Sequence, residues 1–277
     1  MKIWHQSMGS VQLNNVGDKI KKHTLAVVED GTVVDVKGLP GKPDFVVSLQ
    51  SLKDGTSSSD HVTTMDVYGS PYLNQLLLGR VIEQARQAEQ EGYDAFVIGS
   101  YTDPFLKEMR SIVDIPVIST AECNVLLACS YGKLQGHICL NPSIARLVTD
   151  HVRDFRLTDR VAGVYSLGEE VDEWTIQQAW EKPDEIIARF TELAHKAIAA
   201  GADVIIPAEG IITEFIYAHG ITRIGKAPVF DSFGMAWKYA ELLVNLRKKM
   251  NLTVGREWEY RRPTNAQLEK IKKSLNI

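Results

Sequence analysis

Asp94-Ala-Phe-Val-Ile-Gly-Ser100 and Asp203-Val-Ile-Ile-Pro-Ala-Glu209 are two versions of one pattern, and their reading decides the fold. Each runs from an acidic residue through an apolar stretch to a polar residue six steps on, and the second copy lies 109 residues after the first. Each follows a helix-like segment ending in Gly (Glu91-Gly92, Ala200-Gly201). Each leads, after another helix-like segment, to a Pro-Val strand start (Pro116-Val117, Pro228-Val229). A short apolar run bounded by turn signals reads as a buried parallel strand, and ligands of open α/β sheets lie beyond the carboxyl ends of such strands. The repeat therefore predicts two equivalent α/β halves, with Ser100 and Glu209 at equivalent strand ends flanking one cleft.

Outward from these strands the α/β alternation continues. Ile3–Gln6, Phe45–Leu49, Val117–Ser119, His137–Leu140, Val161–Tyr165 and Val229–Phe230 read as further strands, with a Gly/Ser/Asp-rich loop over 51–60. Helices are expected over 76–91, 121–130, 143–155, 183–200 and 233–249, and Thr102-Asp103-Pro104 reads as a helix start, since Thr or Asp can cap and Pro suits the first turn. Strands alternating with helices of this length imply parallel sheets and right-handed crossovers. The division expected is residues 1–119 plus 231–277 as one half and 120–230 as the other. The polar tail beyond Asn251 reads as a surface arm or an oligomer contact.

Composition sets the class. A chain of 277 residues with 44% hydrophobic content buries one large core or two moderate ones. A net charge of −4 argues against a nucleic-acid binder or a basic membrane-surface protein, and no apolar run approaches a membrane span. The start MKIWHQSMGS lacks the apolar core of a secretory signal, and three cysteines fit a reducing compartment, so a cytoplasmic location is expected. No Gly-rich dinucleotide fingerprint, P-loop or zinc spacing is present in the sequence. No cofactor and no metal are expected; the partners expected are a small-molecule substrate and further copies of the chain in a homo-oligomer.

The stretch DAFVIGSYTDPFL (94–106), with VDIPVISTAE (113–122), GADVII (201–206) and PVFD (228–231), resembles the aspartate/glutamate/hydantoin racemase superfamily, in particular its hydantoin and allantoin racemase branch. The similarity runs from the first strand to about residue 250. In that family each half supplies a catalytic cysteine, and the two act as opposed acid and base across one substrate carbon. Aligned without gaps, those cysteines fall on Ser100 and Glu209, and neither is a thiol. The resemblance further implies substrate contacts from the loop after the first strand (His5, Gln6, Ser7), from Tyr101 and Thr102, and from Asn141, Gly210 and Asp231. It includes Glu122 as well, although Ser119-x-x-Glu122 also reads as a capping box.

Bland roles stand beside these. Ser100 can be a turn serine, Thr102 an N-cap, His5 a packed core residue and Glu209 a structural helix-end charge. Cys123, Cys129 and Cys139 lie on an apolar helix and inside a strand, as small buried hydrophobes do. Replacing a thiolate (pKa about 8.5) by a carboxylate (about 4.3) gives up roughly 5–6 kcal/mol of driving force for taking one proton, which argues against a symmetrical two-base reaction. The expectation is a cysteine-independent isomerase or racemase-like enzyme on a small carboxylate or cyclic amide, with Glu209 as acid/base and Ser100 as hydrogen-bond donor. A hydrolase or decarboxylase-like carbon–carbon lyase with Glu209 activating water is the second reading, and a non-catalytic binding protein the third.

Overall fold

The computed structural model describes residues 1–8, 16–38 and 69–276. Two parallel sheets organise it. The first has the order β2-β1-β3-β4, from β1 (Lys2–Ser7), β2 (Val33–Lys37), β3 (Ala95–Gly99) and β4 (Val117–Ser119). The second has the order β6-β5-β7, from β5 (Gln135–Cys139), β6 (Val161–Ser166) and β7 (Val204–Pro207). Every pairing within the two sheets is parallel. β3 stands to the central β1 as β7 stands to the central β5, which is the repeat read from the sequence. Val229 adds a parallel bridge to Ile205, and Arg223–Ile224 (β8) with Ala227–Pro228 (β9) form a small antiparallel ribbon.

The connections are helical: α1 (Val16–Val27), α2 (Pro71–Leu78), α3 (Val81–Gln90), α4 (Leu106–Ile112), α5 (Thr120–Ala128) and α6 (Pro142–Asp154), then α7 (Glu173–Gln178), α8 (Asp184–Ala199), α9 (Gly210–Ala218), α10 (Ser232–Met250) and α11 (Asn265–Leu275). Strands β3 and β7 are apolar throughout because helices cover both faces of each sheet. Trp4, Phe96 and Ile98 pack on α3 and α4, while Ile3, Ala95 and Val97 pack on α10 through Ala236, Trp237 and Ala240. In the second sheet Ile138 and Ile205 meet Phe190, Ala194 and Ala197 of α8. Tyr101 of the first half is buried with Ile144 and Val148 of α6, so one apolar cluster spans the halves.

Four expectations need correction or delimiting. The helix expected over 76–91 is two helices, broken at Gly79-Arg80. The helix expected to start at Thr102-Asp103-Pro104 begins at Leu106, because Asp103 (φ 44) and Phe105 (φ 58) take left-handed conformations and Asp103 turns inward to accept from Ser119 Oγ. Ser119 does cap α5 from Glu122 N, but the Glu122 carboxylate pairs with Arg110, so only half of the capping box forms. The strand at Phe45–Leu49 and the loop at 51–60 lie outside the described residues.

Candidate functional site

Glu209 is the N-cap of α9. Its backbone is extended (φ −169, ψ 151), and one carboxylate oxygen accepts from the backbone N–H of Ile211 at 2.7 Å and Ile212 at 3.4 Å. The strand end lies against β5, where Ala208 N donates to Ile138 O. Burial pushes the Glu209 carboxyl up to about 7, nearby Glu173 adds to the rise, and the backbone N–H groups of α9 hold it back. Some of the residue reaches solvent, which tempers the burial effect. Gly210 must be small here, since a Cβ would stand 2.7 Å from the Phe233 ring.

Ser100 is buried at the matching end of β3. Its Oγ is 2.8 Å from Thr102 Oγ1 and accepts from Thr102 N at 3.2 Å. Gly99, the last residue of β3, must be small, because a Cβ there would fall 2.4 Å from His5 Nε2. Tyr101 donates to Ser232 Oγ at 3.1 Å, and Ser232 Oγ donates to Pro207 O at 2.8 Å. The residue after Ser100 and the strand end before Glu209 are thus tied to one hydroxyl. Asn124 braces the same point, donating from Nδ2 to Ser232 O at 2.9 Å.

The other expected site residues separate. Asn141 caps α6 through Ile144 N, donates from Nδ2 to Val171 O, and lines a cavity of about 440 Å³ with Pro142, Ser143, Glu169, Glu170, Val171 and Asp172. That cavity opens beyond the carboxyl end of β5, beside the strand that ends at Glu209. His5 is fully buried; Trp237 Nε1 donates to its Nδ1 at 3.1 Å, and burial with the His23 charge lowers its pKa to about 3. Gln6 is buried and its amide is engaged by Trp4 Nε1, Ser7 O and Lys37 O. Ser7 is half-buried at the end of β1.

Asp231 caps α10 through Gly234 N and accepts from a residue the sequence reading passed over. His23, on α1, lies 2.7 Å from Asp231 Oδ2 and 2.7 Å from Glu214 Oε1, and its ring stacks on Tyr217 with centroids 3.5 Å apart. Burial works against its charge, but the two carboxylates prevail and hold the imidazole up at about 9. Cys123 and Cys139 are buried with thiol pKa values raised by burial, and Cys129 is half-buried. Among the described residues no group of three or more His, Cys, Asp or Glu is placed to hold a metal ion, and no helix is long and apolar enough to cross a membrane.

The family model described as Asp/Glu/Hydantoin racemase matches residues 55–240. A hydantoin racemase from Pseudomonas sp. (strain NS671) is 28% identical over 181 residues, 65% of this chain and 70% of that protein. One from Paenarthrobacter aurescens is 23% identical over 190 residues, 68% of this chain and 75% of that protein. The fold is similar to that of allantoin racemase from Klebsiella pneumoniae, with a TM-score of 0.72 at 19% identity, covering 96% of this chain and 94% of that one.

Proposed function

Since the chain belongs to the Asp/Glu/hydantoin racemase family, we infer that it is a cysteine-independent isomerase acting on a small carboxylate or cyclic amide or ureide. The substrate binds in a cleft between the half formed by 1–119 with 231–277 and the half formed by 120–230. Glu209 takes the proton from a carbon beside a carbonyl, and the electron pair moves onto the carbonyl oxygen. Ser100 donates a hydrogen bond to that oxygen. Glu209 returns the proton to the same carbon, and inversion follows when the planar intermediate turns its other face to Glu209 before reprotonation.

The observation that supports this best is the Glu209 carboxyl itself, held at a strand end with a pKa of about 7. A general acid/base works best when its pKa lies near the operating pH, and about 7 recovers much of the basicity lost on replacing a thiol. Asn141 and the cavity beside it supply polar groups for the rest of the substrate, and Asp231, fixed by His23, stands at a neighbouring strand end.

The test is solvent-deuterium exchange. Hydantoins, allantoin and small dicarboxylates are incubated in D2O with the protein and followed by proton NMR. Loss of the C–H signal from an otherwise intact substrate, abolished in Glu209→Gln, is the expected result. Ring opening or release of carbon dioxide without exchange would make the chain a hydrolase or a lyase on this fold. Saturable binding without turnover would make it a binding protein.

A further inference from the structure

The two halves repeat more than their strand ends. Phe96 pairs with Val117 in the first sheet and Ile205 bridges to Val229 in the second, so the offsets of 109 (205 − 96) and 112 (229 − 117) relate equivalent positions. On those offsets Ile98 matches Pro207, Ser119 matches Asp231 and Thr120 matches Ser232. Ser119 and Asp231 each cap the following helix, α5 through Glu122 N and α10 through Gly234 N. Capping is thus done by the preceding residue, yet the first residue of each helix is again a hydroxyl, and both are fully buried. Thr120 Oγ1 donates to Ile98 O at 2.5 Å, and Ser232 Oγ donates to Pro207 O at 2.8 Å. Each accepting carbonyl lies two residues before the candidate site residue of its half, Ser100 or Glu209.

One side chain joins these two struts. Asn124, fully buried on α5, donates from Nδ2 to Thr120 O at 2.8 Å and to Ser232 O at 2.9 Å. The position matching Asn124 in the second half is Ala236, so a single amide serves both halves. Ser100 and Glu209 end strands of different sheets, and no backbone ladder fixes the distance between them. Leaving a buried carbonyl without its donor is costly, so these side chains hold both strand ends in place.

We propose that Thr120, Ser232 and Asn124 are positioning residues that set Ser100 against Glu209 across the substrate, an inference that rests on reading those two as the reacting pair. All three are fully buried and act through the backbone of the strand ends rather than on the substrate. Their effect is on geometry: a misplacement of about 1 Å in a reacting pair can cost about 100-fold in rate.

Hydrogen exchange of the full chain, read segment by segment by mass spectrometry, tests the linkage without any substrate. Asn124→Leu keeps the size and removes the donor, and is expected to speed exchange over 98–102 and 207–211 together while α8 exchanges as in the parent. Thr120→Val, which keeps the shape and loses the hydroxyl, is expected to speed exchange over 98–102. Faster exchange in only one strand end of Asn124→Leu, or in α8 equally, overturns the linkage. With any compound that shows solvent exchange, Asn124→Leu and Thr120→Val are expected to lose about 10- to 100-fold in kcat with KM close to the parent's, and Thr120→Ser to retain most of the parent's kcat. Variants that loosen the strand ends yet keep the parent's kcat overturn the positioning role. A parent without turnover sinks the isomerase reading alone, and the exchange pattern still decides whether Asn124 joins the halves.

Discussion

His5 and His137 occupy matching positions in the two sheets. His5 pairs with Val97, three residues before Ser100, and His137 pairs with Ile206, three residues before Glu209. Both rings are fully buried. Among the described residues His5 Nε2 and both nitrogens of His137 have no hydrogen-bond partner, and burial lowers the pKa to about 3 and about 4 respectively. Each half thus carries a neutral imidazole beneath its candidate site residue.

An acid-sensitivity prediction follows from the sign of those shifts. The fold holds both histidines neutral, so below the unfolded value of about 6.5 the unfolded chain binds protons that the folded chain refuses, and stability falls with pH. Asp103 and Glu209, raised to about 8 and about 7, act in the opposite direction over the same range. The comparison must therefore be between variant and parent. In urea unfolding between pH 6.5 and 4.5, His137→Leu should remove up to about 1.4 kcal/mol of destabilisation per pH unit relative to the parent. Parallel pH dependence of the two proteins would show that His137 takes up its proton in the folded state.

Glu209 predicts a pH limb for activity. With its carboxyl at about 7, the basic form increases through neutrality, so a step needing that base should rise with pH around a midpoint near 7. Glu209→Gln keeps an oxygen to accept from Ile211 N and loses the proton transfer, so kcat should fall by about 10²–10⁴ with the limb abolished. Ser100→Ala should cost about 10²–10³ with the limb retained if the hydroxyl only donates to an oxyanion. Steady-state kinetics from pH 5 to 9 on any substrate that shows exchange would decide; a Glu209→Gln enzyme with the parent's limb would place the base elsewhere.

The thiols should be dispensable. Neither Cys123 nor Cys139 stands at a repeat-equivalent strand end, and burial raises both above the ordinary thiol range, which suppresses the reactive thiolate. Activity should survive replacement of Cys123, Cys129 and Cys139 together, and iodoacetamide should leave the native enzyme nearly unchanged. Stoichiometric inactivation that substrate prevents would reverse this conclusion.

What the sequence makes legible is local. The strand ends at Ser100 and Glu209 can be read because each apolar run is fenced by a Gly-ended helix on one side and a polar residue on the other. The break at Gly79 is not legible, since an isolated Gly inside a helical pattern is tolerated as often as it interrupts. Glu122 obeys a capping pattern but finds Arg110, twelve residues back and brought close by the turn into β4. His23 shows the limit most clearly. Its carboxylate partners are 191 and 208 residues away, so no spacing rule could single it out. The positions of Asn141 and Asp231 are readable as helix starts, while their hydrogen bonds to Val171 O and His23 are products of the tertiary fold.

The His23 clamp carries the last prediction. An imidazolium between Glu214 and Asp231 joins α1 to α9 and to the first turn of α10, the two helices that begin at Glu209 and Asp231. Its folded pKa of about 9 lies above the unfolded value, so its contribution is fully present below about 6.5 and is lost as pH rises through about 9. Removing the ring leaves the Glu214 carboxylate, only 8% exposed, without its partner, a change that costs about 3 kcal/mol or more in buried pairs. His23→Gln should therefore unfold at clearly lower urea than the parent at pH 6.5, and the gap should narrow by pH 10, where the parent's imidazole is neutral. Because the clamp also fixes Asp231, the variant should bind substrate more weakly at pH 6.5, while the Glu209 limb keeps its midpoint near 7. A gap in stability that stays constant from pH 6.5 to pH 10 would mean that packing on Tyr217, rather than charge, is what His23 supplies.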